Sequence, residues 1–332
     1  MKTWKLTTPN TLERQTTDDL KISAGLSKVK ITKALVCDSD AAIFCGSTRV
    51  KYPIVPGRFA IGQITETGED SFLNRGERVY LSPSFENELS ELGFEFAGKD
   101  VDGFYRDFAL TTNDDAYTLP SSVSDEAAFL IDPVAFAEKI VDELNLSIGQ
   151  HVLVFGGGLY GNILCQILIY HRFVPILADN NAARLEIAKK SGIYYTFPND
   201  ENLHENVLRV TGGKLAEGAV YLAFNNPSEP SAIFAHVANG ARVAFCSRDE
   251  KTLNVNLQNA MRRNVTITGV TECREYISTA INILANKVIN FSQFSFRYSP
   301  EEKLPALLKE YAEKAGKTAL ADEHIDVVKF IF

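Results

Sequence analysis

The chain of 332 residues is 45% hydrophobic and 23% charged, a globular composition that excludes a disordered, collagen-like or disulfide-scaffold protein and is long enough for two hydrophobic cores. Its 34 Lys+Arg against 42 Asp+Glu give a net charge of −8, which disfavours a nucleic-acid or anionic-membrane partner, and no apolar run reaches the ~18 residues of a membrane span. The opening residues have no apolar secretion core, and the five cysteines, at 37, 45, 165, 246 and 273, contain no C-x-x-C pair, so a reducing, cytoplasmic setting without a disulfide or zinc-ribbon framework is expected.

Residues 1–140 are strand-like and turn-rich. Short runs of β-branched and aromatic residues at 28–33, 61–67, 78–81 and 108–112 alternate with Gly, Pro and Asn turns, which reads as an all-β or α+β unit. Within it, residues 85–102 carry Glu86, Glu88, Glu91, Glu95, Asp100 and Asp102 against Lys99 alone, the pattern of a solvated surface excursion. From His151 the texture changes to alternating strand and helix: strands at 151–155, 174–178, 218–224, 241–246 and 265–270, helices at 161–170, 182–191 and 272–287. That alternation predicts a parallel sheet with crossover helices. The last ~45 residues return to mixed strand and helix.

The turn after the first of these strands is Gly156-Gly157-Gly158-Leu159-Tyr160-Gly161, a G-x-G-x-x-G run placed between strand and helix. Gly156 permits the tight turn, Gly158 lets a pyrophosphate approach the backbone, and Gly161 lets the helix pack on the strand, while the helix N-terminus offers unpaired N–H groups. The second strand ends in Asp179, 23 residues beyond Gly156, at the offset of a ribose-binding carboxylate. This predicts a doubly wound dinucleotide-binding domain with NAD(H) favoured over NADP(H). Leu159, Tyr160 and Asn180 complete the expected contacts. Arg184, just beyond the strand end, is read as a helix-surface residue, the alternative being a contact to a 2′-phosphate, and Asn225, Cys246 and Thr271 are expected to border the nicotinamide from later strand ends.

Segments 32–40 (Thr-Lys-Ala-Leu-Val-Cys-Asp-Ser-Asp), 53–68, 74–79, 102–105 (Asp-Gly-Phe-Tyr), 131–133 (Ile-Asp-Pro) and 264–269 stand in an order that resembles the medium-chain dehydrogenase/reductase family, the zinc alcohol and polyol dehydrogenases. The resemblance covers nearly the whole chain. It implies an α/β protein with a GroES-like β-barrel catalytic domain, residues 1–140 completed by 286–332, and a Rossmann domain at 141–285, with a small-molecule substrate. It also implies a homodimer or homotetramer joined at sheet edges, for which residues 265–270 offer an edge.

The family's catalytic zinc is held by a Cys, a His and a further Cys or Glu. Cys37 matches the first, but the family's G-H-E reads Gly57-Arg58-Phe59 here, and a guanidinium cannot bind a metal. Asp132 stands at the place of a carboxylate near zinc in the polyol branch. The histidines, at 151, 171, 204, 236 and 324, all lie outside residues 1–150, and the four-cysteine structural-zinc lobe is replaced by the acidic stretch. A zinc-independent enzyme is therefore expected. Arg58 is the first candidate to polarise a carbonyl or to anchor a substrate carboxylate or phosphate, or else it pairs with Asp132 or Asp40. Ser39 matches the family's proton-relay hydroxyl, or is an N-cap serine. Cys37 is a buried apolar residue or a thiolate lowered in pKa by Arg58. The expected activity is NAD(H)-dependent interconversion of an alcohol and a carbonyl on a small polar substrate. A zinc enzyme with altered ligands, a catalytically silent NAD(H) binder and reduction of an activated C=C bond are the alternatives.

Overall fold

The computed structural model describes residues 1–222, 229–247, 253–314 and 324–330. These form two compact units, the first built from residues 1–130, 295–315 and 323–332, the second mainly from 131–294.

In the second unit six parallel strands lie in the order Tyr195–Pro198, Val174–Asp179, His151–Phe155, Ala216–Leu222, Val237–Cys246, Thr266–Val270. Numbered along the chain that is 3-2-1-4-5-6, the order of a doubly wound dinucleotide fold. Strand His151–Phe155 reads as an unbroken apolar run because it is central: Val152, Leu153, Val154 and Phe155 are all fully buried. Its core also takes Ile176, Ala178, Ala219, Tyr221 and Val243. Phe155 is level with Ala178 and Tyr221, and Cys246 with Leu222 and Val270, so the strands finish along one carboxyl edge.

The first unit holds a seven-stranded sheet, ordered Ser295–Pro300, His324–Lys329, Ser27–Val36, Ala60–Thr67, Arg78–Leu81, Ala116–Thr118, with Phe108–Thr111 also paired to Ser27–Val36. It is antiparallel apart from its first pair. The chain's end thus completes a sheet begun near its start. Val29, Ile31, Val36, Ile64, Val79 and Leu81 fill its core.

Three sequence expectations shift. Helix Ile131–Leu144, with Pro133 tolerated in its first turn, has no counterpart among them; it packs on helices Leu159–Tyr170 and Ile277–Ala285 and so belongs to the second unit. Residues 286–294 follow it, held by Asn290, whose N–H donates to Gln166 Oε1 (2.7 Å) and whose carbonyl accepts from Gln166 Nε2 (3.0 Å). The divisions therefore fall at 130/131 and 294/295. The acidic stretch is more than a solvated excursion: it forms a hairpin of Ser84–Glu86 with Phe94–Phe96 that buries Phe96 and Ala97 while leaving Leu89 and Leu92 exposed. Residues 272–287 make a 3-10 turn, Arg274–Tyr276, before the helix Ile277–Ala285.

Candidate functional site

In the second unit the glycine turn sits at the carboxyl end of its strand. Gly156 takes φ +111°, a left-handed region open to glycine. Gly161 is required for contact: a Cβ there would lie 1.8 Å from the Gly156 carbonyl oxygen. Gly158 is the N-cap of helix Leu159–Tyr170 and has no side chain to cap it, which leaves the first turn to an anion. Asp179, 6% exposed, accepts the Gly157 N–H on Oδ2 (2.6 Å) and the Asn181 N–H on Oδ1 (2.7 Å), holding the turn beside the second strand. These residues fit a dinucleotide: a capless helix start for the pyrophosphate and a carboxylate for the ribose.

Arg184 is not a helix-surface residue. Its Nη1 lies 3.5 Å from Asp179 Oδ2 and its side chain is largely covered, because the short helix Ala182–Lys190 starts immediately beyond the strand and turns it back on the carboxylate. Leu159 and Tyr160 are half-buried in the first helical turn, and Asn180 is exposed. Cys246 is fully buried at its strand end, its thiol pushed up by burial, whereas Thr271, one residue beyond the neighbouring strand, is exposed. Asn225 lies outside the described residues.

Asp132 lies in this unit. In the first turn of its helix, 3% exposed, it accepts the Tyr160 hydroxyl proton on Oδ2 at 2.6 Å, with Cys273 Sγ 3.8 Å from Oδ1. It is a partner of the glycine turn. His171 is bonded to Glu138 at 2.9 Å. His204 and His236 stack with ring centroids 5.5 Å apart, and among the described residues both buried Nδ1 atoms have no hydrogen-bond partner.

In the first unit Cys37, Ser39 and Arg58 gather around a residue the sequence reading used only as a possible partner for Arg58. Asp40, 0% exposed, accepts the Gly57 N–H on Oδ1 (3.1 Å). Its Oδ2 accepts the Cys37 N–H (3.2 Å) and Cys37 thiol (2.9 Å), with the Tyr105 hydroxyl at 2.9 Å. The Cys37 bonds follow from helix capping: Cys37 is the N-cap of helix Asp38–Phe44 and Asp40 its third residue. Ser39 is therefore not a cap; it sits inside the first turn, Oγ 3.1 Å from Cys37 Sγ. The signal available in the sequence was that spacing, an acid three residues after a cap position and just before an apolar run.

Burial, reinforced by Asp40, pushes the Cys37 thiol well above its usual range, and the Arg58 charge opposes this only in part. The thiol is neutral at pH 7, contrary to a thiolate activated by Arg58. Burial likewise raises Asp40 against its donors and Arg58.

Arg58 is 3% exposed and stacked over Phe96, its guanidinium carbon 4.5 Å from the ring centroid. Its Nε has no partner, and within this unit's described residues it forms no ion pair; Asp40 is already taken by its four donors. The backbone before it is clamped: Gly103 N–H donates to Val55 O (2.6 Å), Tyr105 N–H to Pro56 O (3.0 Å) and Phe104 N–H to Gly57 O (2.9 Å). An open catalytic zinc site takes three protein donors. Among the described residues no three His, Cys, Asp or Glu side chains are grouped to hold a metal, and a guanidinium stands beside Cys37 and Asp40, so these residues do not fit one.

Two family models match the chain, an alcohol dehydrogenase GroES-like domain over residues 23–121 and a zinc-binding dehydrogenase domain over residues 161–286, together more than half of its length. Starvation-sensing protein RspB of Escherichia coli K12 is 29% identical over 273 residues, 70% of this chain and 78% of that protein. Mouse sorbitol dehydrogenase is 27% identical, covering 83% and 82%. Among solved structures, the Escherichia coli CFT073 rspB alcohol dehydrogenase, in complex with NADH, superposes with a TM-score of 0.86 over 99% of both chains at 23% identity. A GroES-like unit followed by a doubly wound unit, in this order and with this glycine turn, places the chain in the medium-chain dehydrogenase/reductase family.

Proposed function

We propose that the protein is an NAD(H)-dependent, zinc-independent oxidoreductase that interconverts an alcohol and a carbonyl on a small polar substrate. The observation that carries the reading is the glycine turn locked to Asp179: Gly156, Gly158 and Gly161 shape a pyrophosphate seat, and the carboxylate that holds the Gly157 N–H at 2.6 Å is placed to accept ribose hydroxyls. Asp179 favours NAD(H), and Arg184 is engaged with that carboxylate. Leu159, Tyr160 and Asn180 line the same turn, and Cys246 and Thr271 stand at and just beyond the ends of the later strands of the same sheet.

NAD(H), when bound, accepts or donates the hydride. This chain's residues do the rest. Arg58, where the family carries a metal-ligating histidine, supplies the fixed positive charge of the site for a negatively charged oxygen of the substrate. Ser39 is the hydroxyl through which the alcohol proton leaves. Cys37, neutral, and Asp40 hold the helix start that carries Ser39, and Asp132 holds Tyr160. Five free cysteines suit a reducing cytoplasmic compartment. Thr266–Val270 is an edge strand with Ile267 exposed, which supports edge-to-edge pairing into a homo-oligomer.

Elemental analysis alongside calorimetric titration with NADH and NADPH, on one sample, tests the reading. The expected result is no stoichiometric zinc and tighter NADH binding. One zinc per chain, with activity lost on chelation, would establish the zinc enzyme instead. Absence of dinucleotide binding would end the oxidoreductase reading.

A further inference from the structure

Resting on that reading, we propose that Arg58 anchors a permanent oxyanion on the substrate, a carboxylate or phosphate, so that the alcohol this enzyme oxidises is an anionic polyol rather than a neutral one. A guanidinium only 3% exposed is normally paired, because its charge has lost most of its water. Here Asp40, the carboxylate on which the Arg58 charge acts, serves other donors. Both oxygens of Asp40 are committed to Gly57, Cys37 and Tyr105. What faces Arg58 is the ring of Phe96, which orients a planar cation without neutralising it. A second cation stands by the same ring, with Lys99 Nζ 6.0 Å from its centroid. Both positive groups thus gather where the acidic hairpin folds Phe96 into the core.

The geometry is also built to last. Three backbone hydrogen bonds clamp residues 55–57, and a Cβ at Gly57 would lie 2.6 Å from the Tyr105 ring, so the segment carrying Arg58 cannot relax away from this position. A pre-set fork of N–H donors in a covered site is the arrangement that reads a planar or tetrahedral oxyanion bidentately. A neutral polyol would leave the guanidinium without a hydrogen-bonded anion, its charge met only through space by Asp40, and a site built for a polar partner discriminates strongly against analogues lacking it.

The test measures binding and turnover of sorbitol, gluconate and sorbitol 6-phosphate by the NADH- or NAD-loaded protein, in wild type, Arg58→Lys and Arg58→Met. One of the two anions is expected to bind at least ~100-fold more tightly than sorbitol, and which one it is separates carboxylate from phosphate. Arg58→Lys should cut that preference ~10-fold or more, since an ammonium cannot bind bidentately, and Arg58→Met should abolish it. Because Arg58 has no ion-pair partner to lose among the described residues of its unit, Arg58→Met is expected to melt no lower than wild type; should it fail to fold, the lysine variant and the wild-type comparison decide. Equal affinity for all three probes, binding of none of them, or a preference that survives Arg58→Lys would overturn the proposal. NADH titration without any polyol reports separately on the dehydrogenase reading, so failure of that titration is distinguishable from failure at Arg58.

Discussion

Each of the two units organises a turn around a buried carboxylate, Asp179 in one and Asp40 in the other, but the two differ in what happens to the neighbouring cation. Asp179 holds two backbone N–H groups and also engages Arg184 at 3.5 Å. Asp40 holds four donors, and Arg58 stands by without an ion pair in its unit. In the first arrangement charge is balanced within the protein, which suits a seat for a shared cofactor. In the second the cation acts on the carboxylate only through space, so its N–H donors are left for the proposed substrate anion. The family pattern is kept where the cofactor is common to all members and is rewritten where the chemistry is individual.

The comparison breaks most visibly at Gly161. Its Cβ would meet the Gly156 oxygen at 1.8 Å and the Gly156 carbon at 2.9 Å, both backbone atoms that cannot rotate aside. Gly161→Ala is expected to cost about 3 kcal/mol or more by overpacking and to remove NADH binding, leaving the first unit's fold intact. Urea unfolding read together with NADH calorimetry checks both effects. Wild-type affinity in this variant would show that the tight turn does not make the dinucleotide seat.

Tyr105→Phe is the counterpart in the other unit. The hydroxyl lies 2.9 Å from both Leu35 O and Asp40 Oδ2 in a residue with no exposure, so its loss leaves buried acceptors short of a donor. The expected cost is about 1–2 kcal/mol of stability with NADH affinity unchanged. A matching drop in NADH affinity would mean that the two carboxylate centres are not independent.

The same contrast governs what was legible in the sequence. The glycine turn, Asp179 and the strands around them follow from local rules: a continuous apolar run makes a central parallel strand, and spacing fixes the acid. Residues 151–155 and 174–178 accordingly appear within a residue of expectation. The Asp40 centre was not legible in this way, because it joins residue 40 to 57 and 105 through contacts that no periodicity encodes. Arg184 was misplaced for a related reason: helix periodicity locates a residue around its axis but not the direction in which a long side chain folds back. Helix Ile131–Leu144 was hidden by Pro133 and by a stripe of apolar residues too broad to show one face, ten of its fourteen positions being buried.

The smallest predicted effect concerns a buried imidazole nitrogen in the second unit that has no hydrogen-bond partner among the described residues. His236 stacks between His204 and Phe155, with centroids at 5.5 and 6.0 Å, and burial first, then His204 and Arg263, lower its pKa from 6.5 to about 4. The folded protein therefore keeps this imidazole neutral while the unfolded chain protonates it near pH 6.5. Its contribution to stability is full above that pH, declines as the pH falls toward 4, and is constant below. Because the ring is only half-buried, solvent screening reduces the effect to about 1 kcal/mol. Carboxylates held low in the fold also destabilise it in acid, below about pH 5, whereas Asp40, raised by burial, acts in the opposite sense and equally in wild type and variant, so the informative quantity is the difference between the two proteins from pH 6.5 to 5. There, melting temperature should fall for the wild type and stay nearly level for His236→Phe, which keeps the ring packing against Phe155. Parallel curves for the two proteins would place the acid sensitivity elsewhere and leave the stacked pair as packing alone.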